Sequence, residues 1–132
     1  MQKIVASVNL VFSVLSETFT IHKLSPDVSI PKEILKSNYY SVSKTENKLS
    51  VVCSELIEVQ SLQSSKGWKC IKMKGPLAFN LTGILAGISD ILAQANISIF
   101  AISTFDTDLI LVRSQDLSSA RTQLRKAGYK FE

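Results

Sequence analysis

Between residues 81 and 95 the apolar residues change their spacing. Leu81, Ile84, Leu85, Ile88, Ile91, Leu92 and Ala95 recur every three or four positions, which lays them along one face of a helix as a stripe about 100° wide. The segments on either side keep the patterns of strands. Residues 68–74 precede the helix, with Lys69, Lys72 and Lys74 limiting how much of that strand can be buried. Residues 97–103 follow it, apolar on both faces as in the middle of a sheet covered by helices, and residues 108–112 form another apolar run. A second helical stripe, Leu117, Ala120, Leu124 and Ala127, stops at Gly128, and residues 129–131 close as a last strand. Asn80 or Thr82 can cap the first helix, and Asn96 can take the left-handed conformation that ends it. Gly83 and Gly87 fall within that helix, where each glycine costs about 1 kcal/mol relative to alanine. Close approach of a neighbouring strand to the backbone would justify them.

From Trp68 onward the order is therefore β-α-β-β-α-β, the ferredoxin-like unit. The first half reads β-α-β-β, with its final helix and strand reduced or missing. Residues 10–15 and 19–24 are hairpin strands or one bent strand, in which alternation points Phe19 and Ile21 at a core and Thr20 and His22 away from it. His22, the only histidine, reads as a surface strand residue. Pro31 opens a short helix over residues 31–36 with Ile34 and Leu35 inward. Residues 39–43 and 49–54 flank a charged tip as a hairpin, with Leu49, Val51 and Cys53 on one face. Residues 55–66 carry the weakest pattern, and Ser64-Ser65-Lys66-Gly67 reads as a linker. The expectation is an α+β chain of two ferredoxin-like units side by side, 1–66 and 67–132, the first degenerate. A half without its last strand would expose a sheet edge, so the halves should share or exchange strands.

Composition narrows the function. With 132 residues, 45% of them hydrophobic, the chain can bury one core or two small ones sharing a wall. The net charge of +4 comes from 15 basic residues dispersed among 11 acidic ones, a pattern of solvated faces rather than a nucleic-acid stripe. Two cysteines in strand-like runs make no disulfide framework and suit a reducing cytosol. The apolar N-terminus is interrupted by Asn9 and Ser13 and lacks a cleavage motif, and no run reaches the roughly 20 apolar residues of a membrane span. The reading is a cytoplasmic protein with no membrane partner.

Two polar loops stand out. Residues 75–83 open the first helix, whose early amides have no carbonyl one turn earlier and can serve an anion. Residues 103–108, Ser103-Thr104-Phe105-Asp106-Thr107-Asp108, put two carboxylates and three hydroxyls in one connection between strands. A helix mouth at Thr82, Gly83 and Ile84 for a carboxylate, and Asp108 with Asp106 for an ammonium, would suit a free amino acid. The same residues also suffice for a turn shaped by Asp106 and Thr107 and capped by Asp108.

The run Trp68…Gly75-Pro-Leu-Ala-Phe…Leu81-Thr-Gly-Ile-Leu-Ala…Leu92-Ala-Gln-Ala-Asn-Ile-Ser-Ile-Phe-Ala-Ile-Ser-Thr-Phe-Asp-Thr-Asp resembles the small tandem ACT-domain proteins, relatives of the regulatory ACT domains of aspartate kinase and of tandem-ACT amino-acid sensors. In the first half, Phe19…Leu24 followed by Tyr40-Ser-Val-Ser-Lys-Thr-Glu…Leu-Ser-Val-Val-Cys is similar to that family's first repeat. The resemblance implies amino-acid binding where ACT units meet, and it implicates Thr82, Gly83, Ile84, Ser103, Thr104 and Asp108. Thr45 and Glu46 match a recurrent element of the first repeat. The resemblance also implies a homodimer, since ACT units associate edge to edge. It brings no kinase region, and no cofactor is implied.

Other functions find less in the residues. One histidine, two strand cysteines and no metal-ligand spacing leave no metal centre, no nucleophile has an evident base, and no phosphate-binding glycine motif is present. RNA-recognition modules share the β-α-β-β-α-β order but display aromatics on central strands. Here the matching strand is Leu109-Ile110-Leu111-Val112. A ferredoxin-like protein-interaction or RNA-binding module without a small ligand is the alternative reading.

Overall fold

The computed structural model describes residues 10–74, 83–105 and 107–132. Its elements are β1 (Val11–Leu24), α1 (Lys32–Leu35), β2 (Ser41–Lys44), β3 (Leu49–Ser54), β4 (Gln63–Met73), α2 (Ile84–Gln94), β5 (Ile99–Ser103), β6 (Asp108–Arg113), a 3-10 turn (Ser114–Asp116), α3 (Leu117–Lys126) and β7 (Lys130–Phe131). They form two compact units. One is Glu17–Trp68, and the other joins the residues up to Ser16 with Lys69–Glu132. β1 and β4 each give one part to each unit.

In the unit that contains Lys69–Glu132 the strands lie in the order β7-β1-β4-β6-β5. The β-α-β-β-α-β order from β4 onward is as the sequence predicts, with one difference. The first residues of β1 are inserted next to β7, Val11 and Phe12 pairing in parallel with Lys130 and Phe131. Phe12 is fully buried, stacked on Tyr129 at 4.9 Å between ring centroids and edge-on to Phe131 at 5.3 Å. The α2 stripe, Ile84, Ile88 and Leu92, and the α3 stripe, Ala120 and Leu124, close over Ile71, Met73, Ile110 and Val112. Each such aliphatic side chain taken out of water contributes about 1.5–3 kcal/mol.

α2 begins at Ile84, and Gly83 is the residue before it, at φ 82°. That left-handed conformation is one glycine takes without steric cost. A Cβ there would meet nothing within 4 Å, so Gly83 is required by its backbone angle and not by a close neighbour. The capping residues Asn80 and Thr82 lie outside the described residues. Asn96, at φ 60°, ends the helix as expected. β5 departs from expectation. Among the described residues it stands at the end of the strand order and pairs with β6 alone, and its residues are half-buried or exposed instead of buried on both faces.

In the Glu17–Trp68 unit the order is β2-β3-β1-β4. β1 runs unbroken through Ser16-Glu17-Thr18, and the Ser64-Ser65-Lys66-Gly67 run is strand within β4, not linker. The last strand of the first half is thus present. Its second helix is not, since residues 55–62 form turn and irregular structure. The β2–β3 hairpin matches the sequence reading, with Lys44 opposite Leu49 and the Thr45 amide donating to the Lys48 carbonyl at 2.9 Å. Leu24, Ile34, Leu49, Val51 and Cys53 form the core. Leu35 is exposed, because the single turn of α1 presents only Ile34 inward.

Thr20 and His22 are buried, against expectation. The register explains it: Thr20 opposes Cys53, His22 opposes Val51 and Leu24 opposes Leu49, so the two polar residues share the face that carries the core. Residues 55–62 cover that face. The Glu55 amide donates to Thr18 on the β3 side of β1, and the Leu62 amide donates to Lys23 on the β4 side, at 2.9 and 2.8 Å. The segment therefore crosses over β1 between Thr18 and Lys23, and Ile57 and Val59 pack on the core as it passes. Crossovers of this kind usually take a dozen residues or more, mostly as a helix.

Candidate functional site

The β5–β6 loop is a tightly bonded hairpin end. Ser103 and Asp108 are partners in the ladder, and the Ser103 hydroxyl donates to Asp108 Oδ1 at 2.6 Å. The Thr104 amide and hydroxyl donate to the Thr107 carbonyl at 2.8 and 3.1 Å, and the Thr107 amide donates back to Thr104 Oγ1 at 3.2 Å. Phe105, at the tip, is 79% exposed. Asp106 lies outside the described residues. One carboxylate oxygen of Asp108 is thus engaged by Ser103, and Oδ2 makes no bond among the described residues.

The Thr107 hydroxyl leaves the loop and donates to the Met73 carbonyl at 2.6 Å. Met73 is the last residue of β4, so the connection that leads to α2 sets out beside the β5–β6 loop. At the far end of that connection the Gly87 amide takes the Gly83 carbonyl at 2.9 Å, leaving the amides from Ile84 to Ala86 ahead of the first i to i−4 bond within the helix. Ile84 is buried in the core, so what it can offer a ligand is its amide. Thr82 lies outside the described residues. The structure thus joins Ser103, Thr104 and Asp108 in one loop and sets Gly83 and Ile84 at the start of α2.

A cavity of about 550 Å³ in the Glu17–Trp68 unit was not legible in advance. Thr20 and His22 from β1, Ser64 and Lys66 from β4, and Glu55, Glu58 and Ser61 from the crossing segment line it. His22 Nδ1 lies 3.2 Å from the Ser61 hydroxyl, while Nε2 is buried without a partner among the described residues. A buried polar atom left unpaired costs about 1–3 kcal/mol. Burial, and secondarily the Lys66 ammonium, hold the imidazole below its ordinary 6.5, so it is neutral at pH 7. The sequence signal, in retrospect, is the alternation Thr20, His22, Leu24 opposite the apolar alternation Leu49, Val51, Cys53.

Neither cysteine is placed as a nucleophile. Cys53 and Cys70 are free and buried. Burial raises both thiols, that of Cys70 up to about 12 despite Lys72 and Lys69 nearby. Among the described residues no three His, Cys, Asp or Glu side chains gather as metal ligands, and no helix is long and apolar enough to cross a membrane.

Solved structures define the class first. The chain aligns with protein Atu0741 from Agrobacterium tumefaciens over 94% of its own length and 92% of that chain, with TM-score 0.86 and 34% identity. It shares its fold with the regulatory subunit of aspartate kinase from Thermus thermophilus, with TM-score 0.62 over 88% of this chain and 95% of that one, at 9% identity. A model of the ACT domain matches residues 63–126, a model of an N-terminal domain matches residues 17–57, and the chain belongs to the ACT-domain family. It is also 32% identical over 113 aligned residues to the human cytosolic arginine sensor for mTORC1 subunit 1, covering 74% of this chain and 34% of that protein. The chain thus spans about a third of the length of this curated relative. Residues 63–126 are thus an ACT domain, in a chain that is related in sequence to that sensor and shares its fold with an aspartate kinase regulatory subunit.

Proposed function

We propose that the chain is a non-catalytic sensor that binds a free amino acid or a similar small zwitterion. The amides of Thr82, Gly83 and Ile84 hold the α-carboxylate, Asp108 with Asp106 holds the ammonium, and Ser103 and Thr104 flank it. The observation that carries this reading is the Thr107–Met73 hydrogen bond, which keeps the acidic loop beside the start of the connection to the helix mouth. The Asp108 oxygen that Ser103 leaves unbonded among the described residues adds to it. So does kinship with a protein named as an arginine sensor.

A helix terminus contributes about 0.3–1 kcal/mol, up to about 2 when partly buried, and each charge-assisted hydrogen bond about 1.5–3 kcal/mol. Against the lost freedom of the ligand, this amounts to micromolar to millimolar affinity, suited to a metabolite pool. The ligand lies where this unit meets an ACT unit of a second chain in a homodimer. β5 supports such pairing, because among the described residues it is hydrogen-bonded on one side only. Residues 1–66 and 67–132 are two ACT units, the first degenerate, that share strands, and the sharing is supported by β1 giving residues to both compact units. The cytosol is the compartment, in keeping with the relative's name and with two buried free thiols.

The test is a thermal-shift screen of the full chain against the twenty common amino acids. A ligand at 100 times its dissociation constant adds about 2.7 kcal/mol of stability. Asp108→Ala should lose the shift and keep the fold. Failure to fold would instead make Asp108 the turn cap, and a monomer by light scattering at micromolar concentration would remove the interface.

A further inference from the structure

The cavity over β1 is polar where a core should be apolar. On the face that carries Leu24, Leu49, Val51 and Cys53, the ladder continues with Thr20 and His22. The segment that covers them, residues 55–62, is tied to β1 at Thr18 and Lys23. Between those two ties it stands off far enough to leave about 550 Å³, within the range of about 300–1,000 Å³ typical of small-molecule sites. Thr20 is only 2% exposed, and the buried Nε2 of His22 has no partner among the described residues. His22, 6% exposed, ties the floor to the cover through Ser61.

We propose that this cavity is a second ligand site, separate from the β5–β6 loop, and that it takes an amino acid or a similarly small zwitterion. The lining carries both signs of charge. Lys66 reaches the cavity from β4, close enough to His22 to disfavour its protonation, and it forms no ion pair among the described residues. With the Thr20 and Ser64 hydroxyls it offers a carboxylate one cation and two donors. Glu55 and Glu58 offer an ammonium two carboxylates from the cover, also without ion pairs among the described residues. A simple anion would meet those glutamates unpaired, and a simple cation would meet Lys66, so a ligand with both charges fits best. None of these residues belongs to the loop site, and the proposal stands whether or not that site binds.

His22 is the single histidine of the chain, so its imidazole proton resonances report on this cavity alone. The experiment is an NMR titration of the full chain with each of the twenty common amino acids, read at the His22 ring. At least one amino acid should move that resonance saturably, and the movement should persist in Asp108→Ala. Lys66→Met, at an exposed position, should keep the fold and weaken the apparent affinity by about tenfold, and Thr20→Val should act in the same direction. If no amino acid moves the His22 ring, the proposal is overturned. It is equally overturned if Lys66→Met binds as the unaltered chain does, or if Asp108→Ala abolishes the movement, which would trace it to the loop site.

Discussion

The hydroxyl of Thr107 donates to the carbonyl of Met73 at 2.6 Å, a side-chain bond between residues 34 apart in sequence. It fastens the β5–β6 loop to the end of β4. Thr107→Val keeps the shape and removes the donor. The expected loss is about 1 kcal/mol, read as a lower urea midpoint with an unchanged slope, together with weaker amino-acid binding. Unchanged binding in a destabilised variant would make the bond structural only.

Phe12, far from Tyr129 and Phe131 in sequence, belongs to the same compact unit and packs against both rings. Phe12→Ala should cost about 3–5 kcal/mol, as for other fully buried aromatics. Tyr129→Phe is the informative contrast. The Tyr129 hydroxyl is buried with no partner among the described residues, so deleting it should be neutral or slightly stabilising. Denaturant melts of both variants check the pair, and a large loss in Tyr129→Phe would reveal a partner for that hydroxyl.

His22 gives the stability a pH dependence of definite sign. Its folded pKa lies below the ordinary 6.5, so below pH 6.5 the unfolded chain binds more protons than the folded one. Stability therefore falls as pH drops through 6.5 and levels off below the folded pKa. His22→Gln should flatten that window relative to the unaltered chain. Thermal melts between pH 7 and 5 measure the difference, and parallel curves would contradict the assignment.

Burial keeps the thiols of Cys53 and Cys70 protonated, Cys70 with a pKa up to about 12. Since the thiolate is the reactive form, a thiol reagent at pH 8 should label neither residue in the native chain and both in denaturant. Rapid native labelling would show that one of these strands opens.

The helices and the hairpin were legible because their signals are local. The stripe from Ile84 to Leu92, the left-handed Asn96 and the charged tip between Lys44 and Leu49 each declare themselves within a few residues. What was missed depends on partners distant in sequence. Thr20 and His22 look like a solvent face until β3 is placed in register beside them and residues 55–62 cross above. Ser64 to Gly67 has the composition of a linker, but it lies in β4, whose flanking Leu62 bonds to Lys23 of β1. β5 has the apolar character of a central strand, yet its place at the end of the order follows from topology, which composition does not encode. Of the loop site, Ser103 and Asp108 were legible as a polar pair. Their mutual hydrogen bond, and the Thr107 tie to Met73, were not.

The most direct measurement is a backbone-amide NMR titration of the nitrogen-labelled full chain with each of the twenty common amino acids. The account predicts that at least one of them moves the amides of Gly83, Ile84, Ser103, Thr104 and Asp108 together and saturably, and that Asp108→Ala silences the group. Amides at these positions that stay fixed through every titration, or that move alike in Asp108→Ala, would contradict it.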